Sequence, residues 1–459
     1  MPPPTKLSST SGLLVRWLSF VAFFAVIAHH VWFVYSHAIN IPYQDDIYDF
    51  LRIVNLIESA DSSAVAIREW FSQYLDHRTN VSRSLVYGTY LIEGEVNFRT
   101  LTILANLALP LILLLFYLSV MDEAYSWGFL LVSALLLLNL RAHTIVFHSQ
   151  AAFAYYYVFL YAFACLFTMH NVTLLKFALA AVLCSLATFT FAAGQIVWLL
   201  GLASLLHQSL VIRRRSVLYP VIWFLLAVAM LMLWRLSFVA LSTEIPSDDL
   251  ARELVLLAFP NLLIDPSPLQ MLTRYASFFL VILGSLFTDS STLGAGVVGF
   301  ILLGVLSFVT IKFYKHDDIR LVLCCWFVIA TAAAVTMGRA MVVAPDYILK
   351  ERYSFLSAIL LSTLALQVQV RFKVFRSPMV YLVVLLAVIY WAWTYRHFEE
   401  PMQDTLSGRY DDFNHERFTV FGKPAKESAA IVNQAIAAGI YNPPCRPYPV
   451  CETQRAPGE

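Results

Sequence analysis

The stretch GLLVRWLSFVAFFAVIAHHVWFVY, residues 12–35, decides the fold class of this chain. A helix needs about 20 mainly apolar residues to cross a bilayer, because hydrocarbon cannot satisfy exposed backbone groups. This stretch meets that length, and Lys6 and Arg16 stand at its start. Similar apolar runs recur along the chain at residues 98–118, 124–140, 151–169, 174–191, 195–210, 217–238, 272–287, 293–311, 321–337, 355–370 and 379–395. The sequence therefore predicts an all-α polytopic membrane protein with eleven or twelve transmembrane helices.

Composition supports one membrane domain rather than several soluble ones. Hydrophobic residues make up 59% of the 459 residues and charged residues 13%, whereas a soluble domain has roughly 25% charged residues. Mean hydropathy is +0.70, and a net charge of +1 argues against nucleic acid as a partner. The apolar blocks are too long and too many for a cleaved signal peptide. We expect a transmembrane domain over 1–396, with a polar first loop at 37–96, and a short polar tail at 397–459.

Basic residues predict the orientation, because Lys and Arg are enriched in cytoplasmic loops. The densest basic groups are Arg213, Arg214 and Arg215; Arg371, Lys373 and Arg376; and Lys312 with Lys315. Placing these groups and the N-terminus in the cytoplasm puts the first loop, residues 339–352 and the tail outside. That parity requires one segment between 238 and 293 not to cross singly. Residues 272–287 are the candidate, either as a re-entrant segment or paired with 254–264 in a short hairpin.

The six cysteines fall into two groups. Cys165, Cys184, Cys324 and Cys325 lie inside apolar runs and are expected to be small core or lipid-facing residues. Cys445 and Cys451 flank a short Pro-rich stretch of the tail. An external tail favours a disulfide between them over a metal pair, since the spacing is not that of a zinc site.

The first loop opens with an acidic stretch. Residues 41–49 read IPYQDDIYD, so Asp45 and Asp46 follow the end of the first helix closely. Apolar residues then recur at helical spacing, which predicts amphipathic helices on the membrane surface. The carboxylate pair has two interpretations: a solvated helix start that caps free amides, or a general base or metal ligand that faces a substrate. The loop ends with His77, Arg78 and Arg83, which would pair with the carboxylates, anchor at the interface or bind a lipid phosphate.

Two further polar clusters are expected on the same face. Residues 141–150 contain His143 and His148 ahead of three tyrosines, which favours a sugar site or an interfacial aromatic belt. Residues 338–353 carry Arg339, Lys350, Glu351, Arg352 and Tyr353. Arginines at helix ends commonly extend to the interface, yet this many external cations opposes the positive-inside bias and suggests an anionic ligand. Gly194 and Gln195 interrupt an apolar stretch and predict a tight helical hairpin.

This arrangement resembles the bacterial glycosyltransferases of the GT-C fold. The resemblance is carried by Tyr43-Gln44-Asp45-Asp46 after the first helix, by His77-Arg78 and Arg83 before the next, and by Gly338-Arg339 with Glu351-Arg352-Tyr353 late in the chain. It is one of architecture and short motifs over most of the membrane region. The small tail departs from the branches with large periplasmic domains and is closer to compact enzymes that modify O-antigen, lipid A or pilin.

The resemblance implies sugar transfer from a polyprenyl-phosphate donor to a periplasmic glycan, lipid or protein acceptor, at a bacterial inner membrane. Asp45 or Asp46 would deprotonate the acceptor in an inverting displacement, and cations would stabilise the leaving phosphate. The substrate-binding residues expected on this basis are Tyr43, Gln44, His77, Arg78, Arg83, His148, Arg339, Lys350, Glu351, Arg352 and Tyr353. Nothing in the sequence demands a cofactor, and the two aspartates could hold a divalent cation through oxygen ligands.

Two other functions fit a chain of this kind. A flippase or transporter predicts buried charges in mid-membrane and an inverted repeat, and the sequence shows few such charges and no repeat. An O-antigen-type polymerase also uses external arginines but does not call for an acidic pair after the first helix. A lipid-sized groove beside Asp45 and Asp46 favours the transferase, whereas a central pathway across the bilayer favours transport.

Overall fold

The protein is an all-α polytopic membrane protein. The computed structural model describes residues 10–75, 77–121, 126–212, 216–236, 267–341, 346, 349, 352–372, 379–418, 420 and 424–444. Within these residues the secondary structure is helical, and eleven helices are long and apolar enough to cross a membrane. They are Arg16–His37, Phe98–Val120, Trp127–Val146, Ser149–Thr168, Ala192–Val211, Leu218–Arg235, Pro268–Phe287, Thr292–Phe313, Arg320–Arg339, Ser354–Phe372 and Val380–Asn414.

The remaining helices are shorter. The first loop contains Asp46–Leu51, which is π-helical, followed by Arg52–Glu58, Ser63–Trp70 and Asn80–Glu93. A short apolar helix, Leu174–Thr188, precedes the hairpin at Gly194, and Ala425–Ala437 follows the last long helix. The hairpin is as tight as the sequence predicts, since a Cβ on Gly194 would lie 1.9 Å from the Ala187 carbonyl oxygen.

The outer surface of the bundle is apolar. Trp17 and Leu18 are about three-fifths exposed on the first helix, and Leu293, Phe300 and Ile311 are exposed to a similar or greater extent on Thr292–Phe313. A water-facing surface would not tolerate continuous apolar patches of this kind. Lipid is the environment in which these side chains are stable.

Residues 234–236 and 285–288 lie at the same end of the bundle, and residues 237–266 between them lie outside the described part of the chain. Arg78, in the first loop, donates to the carbonyls of Trp234 and Leu236, and Arg141 donates to Ser285 and Thr288. We call this end of the bundle the loop face; it holds residues 38–75, 77–97, 139–150 and 339–341. Pro268–Phe287 is a long helix that packs against Thr292–Phe313, and residues 254–264, its other proposed partner, lie outside the described part of the chain.

The first loop is built into the protein more deeply than its amphipathic pattern suggests. Ile47, Phe50 and Leu51 are at most 1% exposed, because their helix packs on the core and on Ala425–Ala437. Ser63–Trp70, in contrast, has no buried residue and fits a helix lying at the interface. The first helix of the loop is therefore surrounded by protein, whereas Ser63–Trp70 lies at the surface.

The described part of the tail is joined to the first loop. The final long helix, Met379–Asn414, has 36 residues, so it extends about 54 Å and continues well beyond a bilayer core of about 30 Å. The boundary expected at residue 396 falls inside it. Beyond it, the Val96 amide donates to the Ile440 carbonyl at 2.7 Å and Tyr441 donates to Asn40 at 2.8 Å.

Four of the six cysteines lie in the described part of the chain. Cys165, Cys184, Cys324 and Cys325 are free thiols and fully buried in the core. Cys445 and Cys451, with the disulfide proposed between them, lie outside the described residues, as do Arg213, Arg214, Arg215, Lys373 and Arg376.

Replacement of Gly299 by alanine tests the close packing of Pro268–Phe287 on Thr292–Phe313. A Cβ at this position would lie 2.0 Å from the Leu280 carbonyl oxygen, so Gly299→Ala should destabilise the protein by about 1–3 kcal/mol through overpacking. Gly304→Ala on the same helix is the matched control, since nothing lies within 4 Å of its added Cβ. Thermal unfolding in detergent should show a lower midpoint for the first variant alone. Equal midpoints would contradict the contact.

Candidate functional site

The acidic stretch after the first helix forms a tight turn into the first-loop helix. Pro42 follows the end of the first helix, and Gln44 takes a left-handed backbone conformation with φ of 48°. The turn puts Asp45 at the N-cap and Asp46 at the first position of the helix. Asp49 lies three residues after Asp46, and Gln150 donates hydrogen bonds to both carboxylates.

Asp46 is a buried junction between the first loop and residues 149–150. It is 2% exposed, and its Oδ1 accepts hydrogen bonds from the Ser149 hydroxyl at 2.6 Å and the Gln150 amide at 2.9 Å. Its Oδ2 accepts from the Tyr43 amide at 3.0 Å. Burial raises the pKa of the Asp46 carboxyl to about 6, although these hydrogen bonds lower it. With both oxygens occupied, Asp46 is placed to hold structure rather than to take a substrate proton.

Asp49 forms the second buried junction, with Arg83. The Arg83 Nε and Nη2 lie 2.9 Å from Asp49 Oδ1, and both side chains are at most 1% exposed. The Thr79 hydroxyl donates to the same carboxylate at 2.6 Å, and the Gln150 side chain donates to its other oxygen at 3.2 Å. Gln150 therefore contacts both buried aspartates. Because Nη1 of Arg83 donates to the Trp70 and Ser72 carbonyls, the residue holds the loop together and is not directed at a ligand.

Asp45 has a different environment from the other two carboxylates. It lines a cavity of about 250 Å³ at the loop face. The Tyr74 hydroxyl donates to its Oδ1 at 2.5 Å. Burial raises the pKa of the Asp45 carboxyl, while the Tyr74 hydrogen bond and the charges of Arg352 and Arg339 act in the opposite direction. A partly buried carboxylate with a raised pKa is a suitable general base.

The same cavity contains the late arginines. Arg339 ends the helix Arg320–Arg339, and Arg352 and Tyr353 immediately precede Ser354–Phe372. All three line the cavity together with Asp45. Its other walls are aromatic, amide, apolar and small side chains: Tyr74, Leu75, His77, Gln150, Ala151, Ala154, Tyr155, Phe191, Ala192, Ala193, Thr331, Ala334, Val335 and Gly338. Three clusters that are far apart in the sequence thus meet at one cavity.

The remaining residues predicted for the site lie in different places. His77 is on the cavity wall with its ring 4.1 Å from that of Phe191. Arg78 is 1% exposed and donates to the carbonyls of Phe71, Trp234 and Leu236, so it fastens the loop to a membrane helix. Lys350 and Glu351 lie outside the described residues.

The cavity lining does not include three of the predicted site residues, Tyr43, Gln44 and His148, which lie beside Asp46. The Gln44 side chain donates to the Tyr43 hydroxyl at 3.0 Å, and the His148 ring lies edge-on to Tyr43 with centroids 5.2 Å apart. His148 Nε2 is 3.9 Å from Asp46 Oδ1. Burial, with the positive charges of Arg409 and Arg352, keeps the pKa of His148 well below its usual value, so the ring is neutral.

An apolar groove of about 830 Å³ lies beside the cavity. Phe189 lines the groove and Phe191, two residues later, lines the cavity, so one short segment separates them. The groove is bounded by the first loop, the short helix Leu174–Thr188 and the helix Leu218–Arg235. Its lining residues are Trp70, Phe71, Asn80, Val81, Ser84, Leu85, Tyr161, Ala181, Val182, Ser185, Leu186, Phe189, Trp198, Leu226, Met230 and Leu233.

The described lining of the cavity contains one carboxylate, that of Asp45. A divalent cation needs several oxygen ligands, and the buried carboxylates of Asp46 and Asp49 are occupied by hydrogen-bond donors. In the described ranges, no group of three or more His, Cys, Asp or Glu side chains is placed to hold a metal. Asp45 is accompanied by two arginines, which favour an anion over a cation.

Several residues of the site are absent from the sequence-based set: Asp49, Tyr74, Gln150, Tyr155, Phe191 and Arg409. Asp49 carried a usable signal, since it belongs to the acidic stretch. Arg409 carried none, because it lies in a polar tail with many charges.

Comparison of the chain with family models, curated proteins and solved structures gives no significant match.

Loss of the Asp49–Arg83 pair should unfold the first loop. Arg83→Met leaves Asp49 charged and buried without its main partner, which costs about 3–5 kcal/mol. The ion pair between Glu69 and Arg68, whose side chain is 74% exposed, provides the control. Arg68→Met should change the free energy of unfolding by less than about 1 kcal/mol. Denaturant unfolding in detergent measures both. A small effect of Arg83→Met would show that the pair does not hold the loop.

Proposed function

We propose that the protein is a glycosyltransferase of the bacterial inner membrane, which moves a sugar from a polyprenyl-phosphate donor to a hydroxyl of a periplasmic glycan, lipid or protein. The observation that carries this proposal is the composition of one cavity. A carboxylate with a raised pKa, Asp45, lies with Arg339 and Arg352 in a space of about 250 Å³. A base and two phosphate-binding groups are the set that this reaction needs.

The chemistry follows from the two kinds of charge. Asp45 takes the proton of the acceptor hydroxyl as the hydroxyl oxygen attacks the anomeric carbon of the donor sugar. The bond between that carbon and the phosphate oxygen breaks, and its electron pair leaves with the lipid phosphate. Arg339 and Arg352 stabilise the charge that develops there, since guanidinium matches phosphate geometry. A single displacement of this kind inverts the anomeric centre.

The apolar groove supports a donor that is a lipid. Its walls are almost entirely hydrocarbon and aromatic, and it opens from the bundle next to the polar cavity. A polyprenyl chain in the groove would place its phosphate at the boundary formed by residues 189–191. A flippase would instead need a polar pathway through the bundle, whereas the polar residues described above gather at the loop face.

The sidedness belongs to the proposal as well. With the N-terminus cytoplasmic, the first helix delivers the first loop and the cavity to the periplasmic side. The donor would then be used after its transfer across the membrane. This fits acceptors that are surface glycans, lipids or pilins, and energy from a nucleotide would not be needed at the site.

Replacement of Asp45 tests the base. Asp45→Asn removes the proton acceptor while keeping shape, so the rate of sugar transfer should fall by about 10²–10⁴-fold. Transfer is measured with purified protein, a polyprenyl-phosphate sugar and membrane lipid or glycan acceptors. Asp61→Asn, at an exposed position of the same loop, is the control and should transfer at the wild-type rate. Full activity of Asp45→Asn would rule out this carboxylate as the base.

The pH dependence of transfer gives a second test. The ionised form of Asp45 is the active one, and burial raises its pKa, so activity is present above that pKa and is lost as the pH falls through it. The loss should occur at a pH clearly above about 3.9, the ordinary value for aspartate. Initial rates of transfer, measured at each pH on protein shown to be folded, check this. A rate that is constant down to about pH 4 would contradict it.

A further inference from the structure

Arg409 is a buried cation far along the chain from the cavity residues. It lies in the last long helix, beyond the part that crosses the membrane, and is 4% exposed. Its guanidinium carbon is 3.8 Å from the centre of the Tyr43 ring, and it donates to the Phe147 carbonyl. Stacking of this kind on an aromatic face is worth about 2 kcal/mol when desolvated.

The contacts of Arg409 fall on the two segments that Asp46 joins. Tyr43 supplies the amide that donates to Asp46 Oδ2. Phe147 lies two residues before Ser149, whose hydroxyl donates to Asp46 Oδ1. Arg409 therefore contacts both of the segments that Asp46 joins, and its positive charge also acts on the Asp46 carboxylate.

Stability alone does not account for a cation at this position. Within the part of the chain that the structure describes, Nε and Nη2 of Arg409 have no hydrogen-bond partner. Burying a guanidinium costs several kcal/mol, and apolar residues of similar volume often replace buried ions without loss of stability. The geometry instead suits a role in fixing the turn that presents Asp45.

We infer that Arg409 is a positioning residue, which clamps Tyr43 to Phe147 and so holds Asp45 at the cavity. The effect on catalysis rests on the proposed function. Arg409 does not line the cavity, so it acts through Tyr43 and Asp46 and does not touch the substrate. The C-terminal helix thereby becomes part of the site, although its own residues lie outside the cavity.

Charge is the second route by which Arg409 acts. The titratable groups that face Asp46 are Tyr43 on its own segment, His148 from residues 147–150, Tyr74 of the first loop and Arg409 from the C-terminal helix. His148 is neutral, so Arg409 supplies the positive charge that lowers the pKa of Asp46. Without it, Asp46 takes up a proton at a higher pH and loses its role as an acceptor at the junction.

Two variants and a matched control test the clamp. Arg409→Lys keeps the charge but not the planar stack, and Arg409→Met keeps volume but not the charge. Arg99 is the control, because it also lies over a tyrosine, at 4.8 Å from the Tyr35 ring, and donates to the Tyr35 carbonyl at 3.1 Å, but on an exposed surface. Arg99→Lys and Arg99→Met should behave as wild type.

For Arg409→Met we expect kcat to fall by about 100-fold, the size of a 1 Å misplacement, with the donor KM within about twofold because the arginines of the cavity are intact. Because Asp46 takes up a proton at a higher pH without the positive charge of Arg409, Arg409→Met should lose activity at a higher pH than the wild type does, and Arg409→Lys should lose it at the wild-type pH. The melting midpoint of Arg409→Met should not fall in proportion to kcat. The loss of kcat is then assigned to misplacement of Asp45 and not to unfolding of the protein. If Arg409→Met does not fold, Arg409→Lys decides through its kcat. Wild-type kcat in Arg409→Lys would then overturn the inference.

Hydrogen–deuterium exchange gives a readout that does not depend on the reaction. Arg409→Lys should increase exchange at residues 43–50 and 147–152, and Arg99→Lys should not. Unchanged exchange in both segments would overturn the clamp even if the wild type transfers sugar. Increased exchange in a protein whose wild type transfers no sugar would support the clamp and reject the proposed function.

Discussion

The hydrogen bonds that converge on Asp46 and Asp49 are the constraint on which the rest of the loop face depends. They tie the first loop to Ser149 and Gln150, and through Arg83 they close the loop on itself. Neither carboxylate is available to solvent. Because a buried charge without partners is costly, these hydrogen bonds oppose other arrangements of the loop, and the arrangement that they hold places Asp45 at the cavity.

Environment separates the roles of three carboxylates that occur within five residues. The oxygens of Asp46 and Asp49 accept hydrogen bonds from neighbouring residues and hold the loop in place. Asp45 instead accepts a hydrogen bond from Tyr74 and lines a cavity together with two arginines. Enzymes commonly assign acid, base and structural roles to neighbouring carboxylates in this way. The division also explains why the first-loop arginines differ from the late ones: Arg78 and Arg83 serve backbone carbonyls and a carboxylate, and Arg339 and Arg352 line the cavity.

Much of the fold follows from the sequence, because hydrophobic length alone predicts a membrane helix. The apolar runs were predictable on that basis, and Gly194 with Gln195 predicted the hairpin. Cys165 and Cys324 were expected to face either the core or the lipid, and only the structure shows that they are buried. The burial of Ile47 and Phe50 against the helix Ala425–Ala437 was not predictable, since an amphipathic helix that faces lipid and one that faces protein have the same pattern. The roles of Arg83 and Arg409 were also hidden. Whether an arginine meets carbonyls, an aromatic ring or an open cavity is decided by tertiary contacts that leave no local pattern.

The central claim is that Asp45, Arg339 and Arg352 form one site for a lipid-linked sugar phosphate. A structure of the wild-type protein in lipid with a non-hydrolysable polyprenyl-phosphate sugar analogue tests it most directly. The account predicts phosphate density between Arg339 and Arg352, with the sugar toward Asp45 and the lipid chain in the groove lined by Phe71 and Phe189. Phosphate density at another face of the bundle, or a chain that avoids this groove, would contradict it.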